Sequence, residues 1–422
     1  MQDTARPDDD EGTTTVSGTP TTTSPTSTLP RERVVTARTS VFVAFALAGL
    51  VFASWASRIA DAKAALGLSA GELGLTLFAA SVGSVTGLPL AGRICDRIGA
   101  SRAVALGMGV GLTGLLVVGA VVDAGGSRLA VSVGLFLIGM GVGVWDVAMN
   151  LEGAEVERHL GTSVMPHFHA AFSGGTVVSA LIGSGMSWAG VPLTVHFLGA
   201  AVVTVAVAAW ALKGFLPRSA EHHEEARASR GRHRSAWLEP RTLLIGVVVF
   251  AAAFTEGTAN DWLAVAFVEG HELPAWAGVL GFATFLTFMT IARLVGTGLL
   301  DRHGRVRVLY VSFALAAVGA AMVIFGAAWL AFVGAAVWGI GAALGFPVGM
   351  SASADDAERA AARMSVVATI GYVAFIAGPP VLGLLGDRVG VLHSLVVVGA
   401  LAILALAVIP AVREPHGRTS AA

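Results

Sequence analysis

Gly92-Arg93-Ile94-Cys95-Asp96-Arg97-Ile98-Gly99-Ala100-Ser101-Arg102 and Gly298-Leu299-Leu300-Asp301-Arg302-His303-Gly304-Arg305-Val306-Arg307 share the pattern Asp-Arg-x-Gly-x-x-Arg, 205 residues apart. Each stretch follows a long apolar run, and Leu68 and Leu273, at the starts of those runs, keep the same spacing. A repeat of this length marks two duplicated domains rather than a solenoid of short units.

The composition says where such domains reside. Of 422 residues, 55% are hydrophobic and only 13% are Asp, Glu, Lys or Arg, about half the roughly 25% usual in soluble domains. Mean hydropathy is +0.75. So few charges cannot clothe a soluble surface, which excludes a cytosolic enzyme and a disordered scaffold. A net charge of −1 offers no field for nucleic acid. The single cysteine, Cys95, excludes a disulfide framework and a cysteine-based metal cluster. An integral membrane protein remains, and its 53 glycines suit close approach of membrane helices.

About 20 apolar residues are needed to cross the hydrocarbon. Twelve stretches qualify: roughly 40–58, 71–93, 103–122, 128–150, 166–188 and 193–213, then 242–268, 275–299, 307–326, 329–351, 364–386 and 391–411. The expected domains are a disordered Thr/Ser/Pro-rich tail over 1–38, a six-helix bundle over 39–213, a linker over 214–241, a second bundle over 242–411 and a tail over 412–422. His222, His223 and His233 in the linker have no ligand spacing and read as part of a solvated charge run. With both termini inside, 22 of the 27 Lys and Arg fall on the inner side and four on the outer. That asymmetry orients the chain in the cytoplasmic membrane with both termini cytoplasmic.

Twelve spans in a six-plus-six arrangement, with this loop after spans 2 and 8, resemble the major facilitator superfamily over roughly residues 40–411. The resemblance implies an all-α fold of two pseudo-symmetric six-helix bundles. It also implies that Gly92, Asp96, Arg97, Gly99, Arg102, Asp301, Arg302, Gly304 and Arg307 form cytoplasmic loops that control the conformational cycle. Asp96 and Asp301 would lie near helix termini and help hold the outward-facing state. Ala100, Ser101 and Thr297 depart from the usual pattern. Span 5 lacks the Gly-Pro motif of drug antiporters, whereas Gly378-Pro379-Pro380 lies in span 11. The stretches Trp55-Ala-Ser-Arg58, Trp145-Asp146-Val-Ala-Met-Asn150, His167-Phe-His169 and Glu256-Gly-Thr-Ala-Asn260-Asp261-Trp262 are distantly similar to sugar permeases such as fucose permease.

Ionisable residues inside a span are costly and point to function. At about 1.5 Å per residue, Glu256 lies a little outside the midplane, Asp146 and Arg293 near the inner face, and Arg58 and Asp261 near the outer face. Asn150 follows Asp146, and Asn260 follows Glu256, by one turn, which puts acid and amide on one helix face. Glu256, Asn260, Asp146, Asn150, Trp262 and Trp145 are therefore the expected solute- and proton-binding residues, with Glu256 first for the proton. Matching depths suggest an outer gate, Arg58 with Asp261, and an inner gate, Asp146 with Arg293, with His169 as intermediary. The blander alternatives are headgroup snorkelling for the arginines and Asp261, and packing for the tryptophans.

The function these features imply is secondary transport of a small polar, sugar-like solute by alternating access with proton coupling. Export of a drug or metabolite by proton antiport on the same fold is the alternative. The sequence contains no G-x-x-x-x-G-K-[ST] phosphate loop, which disfavours ATP drive, and it shows no nucleophile triad of an embedded enzyme. No cofactor or metal is expected. The expected partners are the solute, the proton and the lipid bilayer, with no nucleic acid, and the expected state is a monomer.

Overall fold

The computed structural model describes residues 29–162, 164–217, 236–356 and 359–414. Most of the expected N-terminal tail and linker, with His222, His223 and His233, lies outside them. The first half contains α1 (Arg31–Ala56), α2 (Ile59–Leu66), α3 (Ala70–Ile98), α4 (Ala100–Asp123), α5 (Arg128–Leu160), α6 (Met165–Trp188) and α7 (Leu193–Ala211). The second contains α8 (Pro240–Gly270), α9 (Ala275–Phe325), α10 (Ala328–Ala342), α11 (Gly345–Ser353), α12 (Ala360–Val389), α13 (Val391–Ser394) and α14 (Val396–Val408).

Ten helical segments among the described residues are long and apolar enough to cross a bilayer. One of them, α9, runs 51 residues and turns at Gly304, where φ is 75°, so it supplies two passes. α6, with two histidines and four serines in 24 residues, falls short on hydropathy yet packs between α1 and α9. Counting both arms of α9 and adding α6 gives twelve passes, as the sequence suggests. One boundary differs: α1 begins at Arg31, inside the stretch expected to be tail. The short α2, after the break at Ser57–Arg58, is also unforeseen.

The duplication recurs in the packing. A side chain at Gly139 of α5 would strike the carbonyl of Ala80, and one at Gly339 of α10 the carbonyl of Phe285. Ala80 and Phe285 are again 205 residues apart. Each contact brings two helix backbones together at a residue that has no Cβ.

The halves meet where α3 lies against α12 and α6 against α9. Their contacts concentrate at the end remote from the termini. Lys63 of α2 pairs with Glu269 of α8. Ser184 Oγ donates to the carbonyl of Trp276 at 2.8 Å. Deeper, Ser81 Oγ of α3 donates to the carbonyl of Phe375 in α12 at 2.8 Å. That carbonyl is free because Pro379, four residues on, has no N–H to offer it. Toward the other end α3, α9 and α12 present exposed side chains, among them Leu90, Leu294, Met364 and Tyr372.

Candidate functional site

Polar pairs of the spans form within each half, and a proline helps place one of them. In the C-half, Arg293 of α9 donates from Nη2 to Glu256 Oε2 of α8 at 2.7 Å. Its Nε reaches the carbonyl of Ala343 at 3.2 Å. α10 stops at Ala342, and Pro347 cannot donate the i+4 bond that Ala343 would otherwise accept. The guanidinium thus spans a carboxylate and an orphaned carbonyl, and both members of the ion pair keep partial exposure.

In the N-half, Asn150 Nδ2 donates to Asp146 Oδ1 at 3.2 Å and to the Asp146 carbonyl at 2.9 Å, so the expected acid–amide face on one turn of α5 is present. The His169 ring meets Phe45 edge-on at 5.1 Å. The halves meet here where α6, which carries His169, packs against α9, which carries Arg293. Each half thus carries its own polar pair, Asp146 with Asn150 and Glu256 with Arg293.

Between α8 and α12 lies a small crevice. Phe254, Thr258, Asp261 and Trp262 line one wall and Phe375 and Pro379 the other. The Thr258 hydroxyl, the Trp262 indole N–H and the Asn260 carbonyl oxygen are buried without a hydrogen-bond partner among the described residues. Such orphans are costly and suit a site that a polar solute completes. Asn260 does not repeat the acid–amide pairing of α5, because Glu256 is taken by Arg293. Trp145 is buried too, its backbone against Gly107 of α4 and its indole N–H likewise without a partner among the described residues.

In this conformation neither expected gate pair is formed, and the inner pair is one that closure at the remote end would leave apart. Arg58 donates to Asp61 at 2.6 Å and to the carbonyl of Val191 at 2.8 Å, with His196 Nδ1 at 3.5 Å. These bonds lie inside the N-half, and Asp261 faces the crevice instead. Arg293 takes Glu256 rather than Asp146. Depth along a span fixes height in the membrane but not the direction a side chain points, and both pairings assumed the direction. The charge pair that does join the halves at the remote end is Lys63–Glu269, which the sequence showed only as two loop charges.

The two loop motifs fall at the α3–α4 junction and at the bend of α9. Asp96, Arg97, Arg102, Asp301, Arg302 and Arg307 are exposed. Gly99 and Gly304 turn the chain with φ of 83° and 75°, a region that favours glycine. Arg305 adds an unforeseen contact, donating to Asp355 at 2.7 Å beside Arg241. Among the described residues no group of three or more His, Cys, Asp or Glu is placed to hold a metal.

Two helical halves around a polar centre define a membrane transporter rather than an enzyme. The family model of the Major Facilitator Superfamily matches residues 35–295 and 274–422, and the chain belongs to that superfamily. It is 31% identical over 385 residues to an uncharacterized MFS-type transporter of Yersinia pestis, covering 90% of this chain and 96% of the relative. Among solved structures, the nucleoside transporter NupG superposes with a TM-score of 0.71 at 15% identity, over 90% of this chain and 98% of NupG. The E. coli fucose:proton symporter FucP superposes with a TM-score of 0.60 at 14% identity, over 90% and 98%. At these identities the structural likeness concerns the fold.

Proposed function

We propose that the chain moves a small polar, sugar-like solute across the cytoplasmic membrane by proton-coupled alternating access, as a monomer with both termini in the cytoplasm. The observation that carries this reading is a polar pair in each half, Asp146 with Asn150 and Glu256 with Arg293, in a fold whose halves pack together through α6 and α9. Paired donors and acceptors in a fixed geometry suit a solute rich in hydroxyls, whose own hydrogen bonds must be replaced when water is left behind. The named solutes of NupG and FucP, a nucleoside and a sugar, support the class. The contacts at the end remote from the termini, with exposed side chains toward the other end, support an inward-facing state.

Coupling follows from competition for one carboxylate. Glu256 can be bound by Arg293 or by a proton. A solute that draws the Arg293 guanidinium to its hydroxyls would free Glu256 for the proton. The solute and the proton then load together, with Arg293 bonding the solute and the Ala343 carbonyl while Glu256 carries the proton. Asp146, which accepts from Asn150, is the second candidate for the proton.

A vesicle assay with labelled L-fucose, D-xylose and a nucleoside tests the function. Uptake driven by an inward proton gradient supports symport. Expulsion driven by the same gradient supports the exporter reading, and flux of none of them in either direction counts against a sugar-like solute.

A further inference from the structure

A third copy of the loop motif stands on the opposite face of the molecule. Asp387-Arg388-Val389-Gly390 joins α12 to α13. Its glycine has φ 84° and ψ 150°, against 83° and 161° at Gly99 and 75° and 159° at Gly304. The same four-residue pattern thus makes the same turn between two helices, here at the end remote from the termini.

What distinguishes this copy is where its aspartate goes. Asp387 Oδ1 accepts the backbone N–H of Gly71 at 2.9 Å, and Oδ2 accepts the Ser69 hydroxyl at 3.3 Å. Ser69 is the N-cap of α3 and forms a capping box with Glu72, so the Gly71 N–H is one of the helix's unsatisfied first-turn donors. A carboxylate there meets both a free donor and the positive end of the helix dipole. Asp387 belongs to the C-half and α3 to the N-half, so the bond crosses between them.

The surrounding backbone is built for this approach. A side chain at Gly71 would run into the Asp387 carboxylate. One at Gly383 of α12 would lie 2.6 Å from the Ala70 carbonyl, and one at Gly74 would crowd the carbonyl of Pro379. Three glycines in two helices let α3 and α12 close on each other beside the carboxylate.

We propose that Asp387 is a positioning residue for the conformational cycle, a latch from the C-half onto the first turn of α3 that holds the end of the molecule remote from the termini shut. Any state with that end open must break both bonds, so the latch interacts with one state and not the other, which is what shifts a two-state equilibrium. Its consequence for transport rests on the alternating-access reading above; the conformation itself can be measured without a solute.

The test uses the full chain in nanodiscs with Cys95→Ser and spin labels at Leu129 and Trp329. These residues are exposed at the starts of α5 and α10 on the latched end. Two variants attack the bond from opposite halves: Asp387→Ala removes the acceptor, and Gly71→Ala displaces it. Each should raise the population with a long Leu129–Trp329 distance roughly tenfold, the scale of one lost charge-assisted hydrogen bond. Arg388→Gln, which leaves the acceptor in place, should not, and Asp387→Glu should recover part of the closed population. If both variants remain monodisperse and neither distance distribution moves, or if Arg388→Gln moves it equally, there is no latch. A shift in distance without flux of any tested solute would leave the latch standing and count against the transport reading alone.

Discussion

Arg293 holds Glu256 at 2.7 Å while bonding the Ala343 carbonyl that Pro347 leaves without a helical donor. The ion pair is therefore fixed by a helix break on a third helix. The cation is positioned from the protein side and remains partly open on the other, which suits a group that binds solute without losing its place.

A double-mutant cycle measures the pair. Glu256→Gln and Arg293→Gln should each lower thermal stability by about 1–3 kcal/mol, because each leaves a partly buried charge without its partner. The double variant should recover much of that loss. Additive losses would mean that the two residues act separately.

The Lys63–Glu269 pair joins α2 to α8 across the halves with one partner largely buried and the other exposed. Its strength should be near the roughly 0.2–1 kcal/mol of exposed pairs. Lys63→Glu should therefore favour opening of that end by about two- to fivefold, as read by cysteine labelling at the mouth. Adding Glu269→Lys should restore closure. A swap that fails to restore would assign the effect to the lysine stem rather than the charge.

Asp96→Asn and Asp301→Asn should slow the cycle and leave solute affinity little changed. Both acids are exposed at the end shared with the termini, and neither takes part in the Glu256–Arg293 pair. Binding measured by ligand-induced thermal shift and exchange measured in vesicles separate the two effects. A large affinity loss with unchanged exchange would contradict a role confined to the loops.

Topology is tested by reporter fusions after Arg234 and after Pro274. The basic residues put the first on the cytoplasmic side and the second outside. Matching localisations would mean that α8 does not cross the membrane.

Much of the architecture was legible because it rests on run length and spacing. The 205-residue offset located the duplication, and apolar stretches located twelve passes, α6 included despite its serines. Helix starts were less legible: Arg31 to Arg38 reads as polar chain, yet it forms the first turns of α1. Within the site, the i, i+4 pairing of Asp146 with Asn150 was visible because it lies on one helix. The partners of Arg58 and Arg293 were not, since they depend on how neighbouring helices are rotated. Two signals were present and unread. Pro347 and Pro379 each announce a carbonyl without a donor, and Asp387-Arg388-Val389-Gly390 repeats the motif that decided the fold.

The most direct measurement is solute accumulation by Glu256→Gln in proteoliposomes, run with the labelled panel of L-fucose, D-xylose and a nucleoside. The wild-type chain should concentrate at least one of them when an inward proton gradient is imposed, and a protonophore should abolish the effect. Glu256→Gln should keep exchange and downhill flux of that solute but lose accumulation, because the glutamine can accept Arg293 yet cannot carry a proton. Accumulation by Glu256→Gln at the wild-type level would show that Glu256 is a structural partner of Arg293 and that the proton travels elsewhere.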